Sequence, residues 1–137
     1  MKHLPNIIIE VVPHSHQRYD TCGDYQKEGK DWYFTISKTT SDAEFLVLMH
    51  ELYEWYSTQK EGIKEEDITK FDKTFEKKRK KGNTDEPGND PKAPYRKEHM
   101  FATVIERLIA RELKIDWDKY DDDMVSLLDT YDSKKVR

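Results

Sequence analysis

His50, Glu51 and Glu54 interrupt an otherwise apolar stretch that runs from Phe45 to Tyr56. Successive residues of an α-helix turn by about 100°, so His50 and Glu54 share one face and Glu51 flanks it. A helix that is apolar nearly all round belongs in a protein core, where an imidazole and two carboxylates are costly without partners. A bound cation is one such partner, and a buried network of hydrogen-bonded side chains is the other.

The segment from His50 to Glu54 is close to the His-Glu-x-x-His pattern of zinc hydrolases. In that pattern two histidines at i and i+4 bind zinc, and the glutamate between them polarises a metal-activated water. Here Glu54 stands in the place of the second histidine. Because carboxylates also bind zinc, the change keeps a metal site admissible and widens the choice to harder ions such as manganese or iron. The pattern therefore predicts one divalent metal, with zinc preferred, and Glu51 as the general base.

A catalytic zinc site needs three protein ligands, so the third must come from another element. After residues 82–94, the side chains of His99, Thr103 and Glu106 fall in one narrow stripe of a helix. His99 is the preferred third ligand, because imidazole suits most transition metals and the small Thr103 leaves room beside it. Glu106 is either an alternative ligand or an acceptor that orients an imidazole. Tyr95 is either a donor to a developing oxyanion or an aromatic contact that seats the preceding loop.

Other reactive residues give weaker patterns. His14 and His16 alternate as a metal-binding pair on a strand would, but Pro13 favours a loop, in which histidines are usually exposed. Cys22 has no neighbouring basic pair and no nucleophile-elbow motif, which argues against a thiol nucleophile. The basic residues 77–81 suit a solvated helix C-terminus, with a phosphate or partner patch as the alternative.

The first 40 residues are predicted to form mainly β-strands. Runs of β-branched and aromatic residues predict strands over 7–12 and 32–37, with a short strand over 19–25 and a hairpin turn over 26–31. We therefore expect a small, mostly antiparallel sheet at the N-terminus.

The remainder of the chain is expected to be helical. Apolar periodicity predicts four helices separated by one long loop: helices over 41–62, 64–81, 95–113 and 118–131, and the loop over 82–94. Ser41 or Asp42 is expected to cap the first helix, and Gly62 to end it. The loop is long enough to shape or cover a site. The pattern as a whole predicts one domain over residues 1–137, of the α+β class, with the sheet packed on three to four helices.

Composition narrows the function classes further. A chain of 137 residues can bury a core without disulfides, and its single cysteine fits a reducing compartment. The net charge of −4 gives no electrostatic basis for nucleic-acid binding. No apolar run approaches the roughly 20 residues that cross a bilayer, and the N-terminus lacks a signal-peptide pattern, so a cytoplasmic protein is expected. Neither nucleotide-binding nor serine-hydrolase motifs occur, and no Glu-x-x-His pair supports a di-iron bundle.

The order of elements resembles the core of minimal zincin-type metallopeptidases: a hairpin, a strand, a short Ser/Thr/Asp connection and the His-Glu helix. The chain is also similar, over most of residues 7–117, to a group of small uncharacterised phage-encoded proteins. The similar segments are 16–19 followed by 23–25, then 50–54, and then 86–103. The zincin resemblance implies His50 and residue 54 as ligands and Glu51 as general base. It also implies a peptide or protein substrate, and a phage origin would place the protein in the host cytoplasm.

Two function classes stay open at this stage. One is a metal-dependent hydrolase, with a peptidase as the candidate subclass, in which His50, Glu54 and His99 hold the metal. The other is a non-enzymatic phage accessory protein that binds a host or phage partner. In that case the His/Glu cluster is structural, and the charged helix over 64–81 is the contact surface. The sequence leaves the oligomeric state open.

Overall fold

The computed structural model describes residues 1–128, so positions 129–131 of the last predicted helix lie outside the described part. Three strands precede four helices: β1 (Ile7–Val12), β2 (Gly23–Glu28), β3 (Asp31–Ser37), α1 (Ser41–Glu61), α2 (Glu65–Lys78), α3 (Arg96–Glu112) and α4 (Trp117–Leu128). Single-turn 3-10 helices occupy His14–His16 and Pro87–Asn89. The predicted α+β class is confirmed. None of the described helices is long and apolar enough to cross a membrane.

The sheet is mixed, with β3 at its centre in the order β1-β3-β2. β3 pairs in parallel with β1 and antiparallel with β2, so only one of the two pairings is of the expected antiparallel kind. The turn between β2 and β3 is confined to positions 29–30, and residues 26–28 extend β2 instead of forming the turn. β2 begins at Gly23, later than predicted, because the Thr21 hydroxyl donates to the Gly23 carbonyl at 2.6 Å and fixes a bend there.

The N-cap of helix α1 is Thr40, one residue before Ser41 and two before Asp42, the two predicted caps. Thr40 has the extended backbone that an N-cap requires, and its hydroxyl accepts a hydrogen bond from the Ala43 backbone N–H at 3.3 Å. Ser41 and Asp42 are already helical. Gly62 ends the helix in the left-handed region at φ 75°, as predicted.

Two apolar clusters hold α1 against the sheet. In the first, Trp55 packs edge-on against Trp32 and Phe34 of β3, with ring centroids 5.7 and 5.6 Å away. In the second, Leu46 packs with Ile36 of β3 and with residues of α3 and α4. Residues 50–54 lie between these anchored halves of the helix, so the core fixes where their side chains point.

Helix α3 runs antiparallel to α1, because His99 near its start contacts Glu54, and Glu106 further along contacts His50. Its polar stripe faces α1 and is buried, as the stripe of His99 and Glu106 predicted. Its apolar row of Phe101, Val104, Ile105 and Leu108 faces outward instead, and Phe101, Val104 and Leu108 are 49–59% exposed. This orientation opposes the hydrophobic effect, so specific polar contacts must hold the stripe inward.

Candidate metal centre

Three side chains from α1 and α3 converge on one point. Nε2 of His50 lies 3.1 Å from Oε2 of Glu54 and 3.1 Å from Nδ1 of His99. Nδ1 of His99 lies 2.9 Å from the same Glu54 oxygen. The three atoms therefore form a nearly equilateral triangle between residues that are only 5–6% exposed. Among the described residues, this cluster has the geometry to hold a metal ion, and it consists of the three ligands predicted from the sequence.

Each imidazole has one inner nitrogen, which forms a corner of the triangle, and one outer nitrogen, which points away from it and faces a carboxylate. Nδ1 of His50 lies 2.8 Å from Oε1 of Glu106 in a hydrogen bond. Nε2 of His99 lies 2.8 Å from Oε2 of Glu86, which is an ion-pair contact without hydrogen-bond alignment. An imidazole whose outer nitrogen carries the proton presents a lone pair on its inner nitrogen. The hydrogen bond to Glu106 therefore sets His50 to direct its lone pair into the triangle, and the nearby charge of Glu86 favours the same proton position on His99.

The triangle requires positive charge. Two nitrogen lone pairs and a carboxylate oxygen about 3 Å apart repel one another strongly in a buried site. Burial lowers the pKa of both imidazoles, but hydrogen bonds to Glu106 and Glu54 raise that of His50 well above its usual range. Burial raises the pKa of the Glu54 carboxyl, but its two imidazole partners outweigh this and bring it to about 2. Without a metal ion, protons therefore supply the charge.

Protons satisfy the triangle less well than a metal ion does. If both inner nitrogens carry protons, two N–H groups face each other across the 3.1 Å between His50 and His99. A single cation accepts all three electron pairs at once. Ligand atoms about 2.0–2.1 Å from a tetrahedral zinc lie about 3.3–3.4 Å from one another. The triangle needs to expand by only a few tenths of an ångström to reach that spacing, so these residues fit zinc.

Glu51 lies beside the triangle at the next position on α1. Its side chain packs so closely on β2 that a Cβ at Gly23 would lie 2.6 Å from its Cγ. Burial and the charge of Glu54 raise the pKa of the Glu51 carboxyl well above its usual range. A raised pKa suits a group that must accept a proton near neutral pH. The sequence-based assignment of Glu51 as a general base is chemically compatible with this position.

The segment after α2 carries Glu86 to His99. α2 ends before residues 79–81, which were predicted to be helical, because Arg79 leaves the helix with extended backbone. Its guanidinium pairs with Glu76 and also donates to the Asn83 and Asp85 carbonyls at 2.5 and 2.7 Å. One residue of the basic run is thus used to fold the loop.

The loop also covers the imidazole of His99 directly. Gly88 is buried on that ring, and a Cβ at this position would lie 2.3 Å from His99 Cγ. Only glycine permits so close an approach. The predicted role of the 82–94 loop in shaping the site agrees with this contact.

A cavity of about 310 Å³ opens beside the triangle. Glu51 and Thr103 contribute to its wall, together with residues of β2, α2 and α4. Thr103 donates its hydroxyl to the His99 carbonyl at 3.2 Å, so it borders the cavity without competing as a ligand. The volume is that of a small-ligand site.

Tyr95 contacts His99 through its ring, with centroids 6.2 Å apart in an edge-on arrangement. Its hydroxyl donates to Asp72, whose other oxygen accepts from Tyr19 at 3.0 Å. Burial raises the pKa of Asp72 to about 8 despite these two donors. The structure therefore favours the packing role of Tyr95 over that of an oxyanion donor.

Three supporting residues were missed by sequence reasoning. Tyr25 donates to Oε1 of Glu54 at 3.0 Å, and Tyr120 of α4 donates to Oε2 of Glu106. Glu86 is the third. Each lies far in sequence from its partner, and the alternation or helical spacing of the tyrosines predicts only core packing. Tertiary structure alone reveals them.

The other histidine candidates do not form a metal site. The expectation of an exposed His14 is wrong, because this side chain is buried, with Nδ1 2.8 Å from Ser37 Oγ and Nε2 2.9 Å from Asp20 Oδ1. In Ser-His-Asp hydrolases the serine contacts Nε2 and the aspartate contacts Nδ1, which is the reverse of this arrangement. Ser37 is also only 2% exposed and does not border the cavity. The contacts instead tie the 13–22 segment to β3, and His16 is exposed as predicted.

Cys22 borders the cavity, but burial raises the pKa of its thiol well above the usual range. The thiol is therefore a poor nucleophile near neutral pH, in agreement with the sequence-based interpretation.

Comparison of the chain with protein-family models, with curated proteins and with solved structures finds no match in any of the three. The function is therefore inferred from the geometry of the site.

Proposed function

We propose that this protein is a metal-dependent hydrolase in which His50, Glu54 and His99 hold one divalent ion. The observation that carries the proposal is the triangle of their inner atoms, 2.9–3.1 Å apart, with a carboxylate at the outer nitrogen of each imidazole. Carboxylate–histidine pairs of this kind orient metal ligands and increase their basicity. Zinc is the preferred ion, and manganese and iron also accept this mixed nitrogen and oxygen set.

The bound ion would act as a Lewis acid and activate a water for attack. Glu51 would accept the proton of that water and deliver it to the leaving group. Glu106 and Glu86 would keep the outer protons of the two imidazoles in place. Tyr25, which donates to Glu54, would fix the carboxylate that completes the ligand set. The cavity beside the triangle would receive the substrate.

We further propose a zincin-like core of the kind found in phage-encoded proteins, acting in the cytoplasm on a peptide or protein. The support is the succession of a hairpin that contains the central strand, a short polar connection at 38–40, and α1, which carries His50 and Glu51 in its middle. Peptides are therefore the first substrates to test.

A non-enzymatic interaction protein is the second candidate. The observation in its favour is that protons shared among His50, His99 and their carboxylates can balance the charge of the buried cluster without an ion. The cluster would then be structural, and α2 with its exposed lysines would provide the contact surface.

Hydrolysis of a quenched-fluorescent peptide library by the zinc-loaded protein distinguishes the two candidates. Glu51→Gln should retain the metal and the fold but lose turnover, because it removes the base and leaves the ligands intact. Glu61→Gln, an exposed position on the same helix, is the matched control and should keep full activity. Equal turnover in Glu51→Gln would refute the assignment of the base, and a lack of cleavage by metal-loaded wild type would favour the interaction protein.

A further inference from the structure

Helices α1 and α3 share an apolar surface on the side of the helix pair that faces away from the sheet. Eight residues at helical spacing form this α1–α3 face: Phe45, Met49, Tyr53, Tyr56, Phe101, Val104, Ile105 and Leu108. The rings of Tyr53 and Phe101 meet with centroids 5.2 Å apart, so the two rows are continuous. Val47, which packs against β2, lies on the opposite side of α1. The large side chains exposed on this face are 42–59% accessible.

So large an apolar surface on a highly charged protein indicates an interaction site. The orientation of α3 adds to this indication. The helix turns its polar stripe inward and its apolar row outward. The apolar side of an amphipathic helix is normally buried in its own chain, so here it is buried only if a partner covers it.

The two ends of the α1–α3 face carry opposite charges. Because α1 and α3 are antiparallel, Lys60 at the end of α1 and Lys97 at the start of α3 lie at one end of the face. Asp42 and Glu112 lie at the other end. All four side chains are exposed and occupy the same helical sides as the apolar rows. The face therefore has a basic end and an acidic end.

We propose that the α1–α3 face binds the same face of a second copy of this chain, related by a two-fold axis perpendicular to both helices. Each helix then lies antiparallel on its copy, and the basic end of one face meets the acidic end of the other. On α3, Phe101 lies opposite Leu108 of the partner subunit, and the middle of the apolar row lies near the axis. An isologous interface requires this self-complementarity of charge and apolar spacing.

Charge reversal tests the arrangement at four exposed positions. One variant carries Lys60→Glu and Lys97→Glu, and the other carries Asp42→Lys and Glu112→Lys. Sedimentation equilibrium from micromolar to submillimolar concentration should show a wild-type dimer. Each variant alone should self-associate at least about tenfold more weakly, because like charges then face each other. An equimolar mixture should form a heterodimer as readily as the wild type does.

The matched control is Leu4→Asp, which places a charge on a large apolar residue that is 64% exposed outside the face. It should leave the dimer intact, and circular dichroism should show that every variant is folded. A wild-type chain that stays monomeric over the whole range would overturn the proposal, even if the face bound a different protein. Charge variants that dimerise like the wild type, or a mixture that fails to associate, would overturn it as well. The experiment requires no metal, so its outcome is independent of the proposed hydrolase.

Discussion

Glu106→Gln tests whether the carboxylates behind the imidazoles tune a metal site. The amide keeps the size of the side chain, and its oxygen can still accept from His50 Nδ1, where Glu106 now lies at 2.8 Å. It removes the negative charge that stabilises a charged or metal-bound imidazole. Loss of such an outer partner lowers metal affinity about 10- to 100-fold, or about 1.4–2.7 kcal/mol. We expect a loss in this range.

The loss of metal affinity in Glu106→Gln should depend on pH, because Glu106 contacts an imidazole that also binds a proton. Glu106 stabilises the proton on His50 as well as a metal there, and near pH 7 the proton competes with the metal. Chelator-competition titrations should therefore show a larger loss near pH 9 than near pH 7, because less of the competing proton remains at the higher pH. Glu98→Gln is the control, since Glu98 lies on the same helix with the same 8% exposure and outside the triangle. Affinities within a factor of about two for Glu106→Gln and wild type at both pH values would show that Glu106 does not tune metal binding.

Three further results are expected. Metal binding at pH 7 should release protons from His50 and His99. Burial lowers the pKa of His99, but Glu54 and Glu86 outweigh burial and raise that pKa to about 9. The apparent metal affinity should therefore rise as the pH increases to about 9. Calorimetry in buffers of different ionisation enthalpy measures this release, and none would contradict it. Gly88→Ala should displace the ring of His99, lower metal affinity at least about tenfold and destabilise the fold by about 1–3 kcal/mol in urea titrations. Because burial raises the pKa of Asp72 to about 8, its folded state holds a proton that the unfolded state loses near pH 4. The stability that this proton contributes is therefore lost as pH rises towards 8. In urea titrations at pH 5 and 9, Asp72→Asn should show a smaller fall in the free energy of unfolding than the wild type does. An equal fall in the two proteins would contradict the raised pKa of Asp72.

The triangle of His50, Glu54 and His99 could be predicted because each of its halves is a local pattern. The spacing of His50 and Glu54 places both on one face of α1, and the stripe of His99 and Glu106 does the same on α3. Only one tertiary assumption was needed, that the two polar stripes face each other, and the structure confirms it.

The contacts that surround the triangle could not be predicted in this way. Glu86 reaches His99 because Arg79 folds the loop back, and Tyr120 reaches Glu106 because α4 packs on α3. No short-range spacing encodes these contacts. The exposure of the apolar row on α3 was also beyond the sequence, because periodicity shows that a helix has two sides without showing which side is buried.

The errors in the sheet and the N-terminal segment have the same origin. The parallel pairing of β1 with β3 joins residues about 25 apart, whereas turn signals report only neighbouring strands. His14 was expected in an exposed loop because it follows Pro13, and its contact with Ser37, 23 residues away, leaves no local sequence pattern. Buried polar contacts between distant residues override the usual exposure of a histidine that follows a proline.

Metal content shows whether His50, Glu54 and His99 bind an ion. It is measured by plasma mass spectrometry on protein purified without a metal-affinity tag, together with His50→Ala and His99→Ala, and with His16→Ala as an exposed control. We expect about one zinc, manganese or iron ion per wild-type chain, its loss in His50→Ala and His99→Ala, and its retention in His16→Ala. Wild-type protein that carries no metal and gains no thermal stability when metal is added would contradict a metal centre at His50, Glu54 and His99.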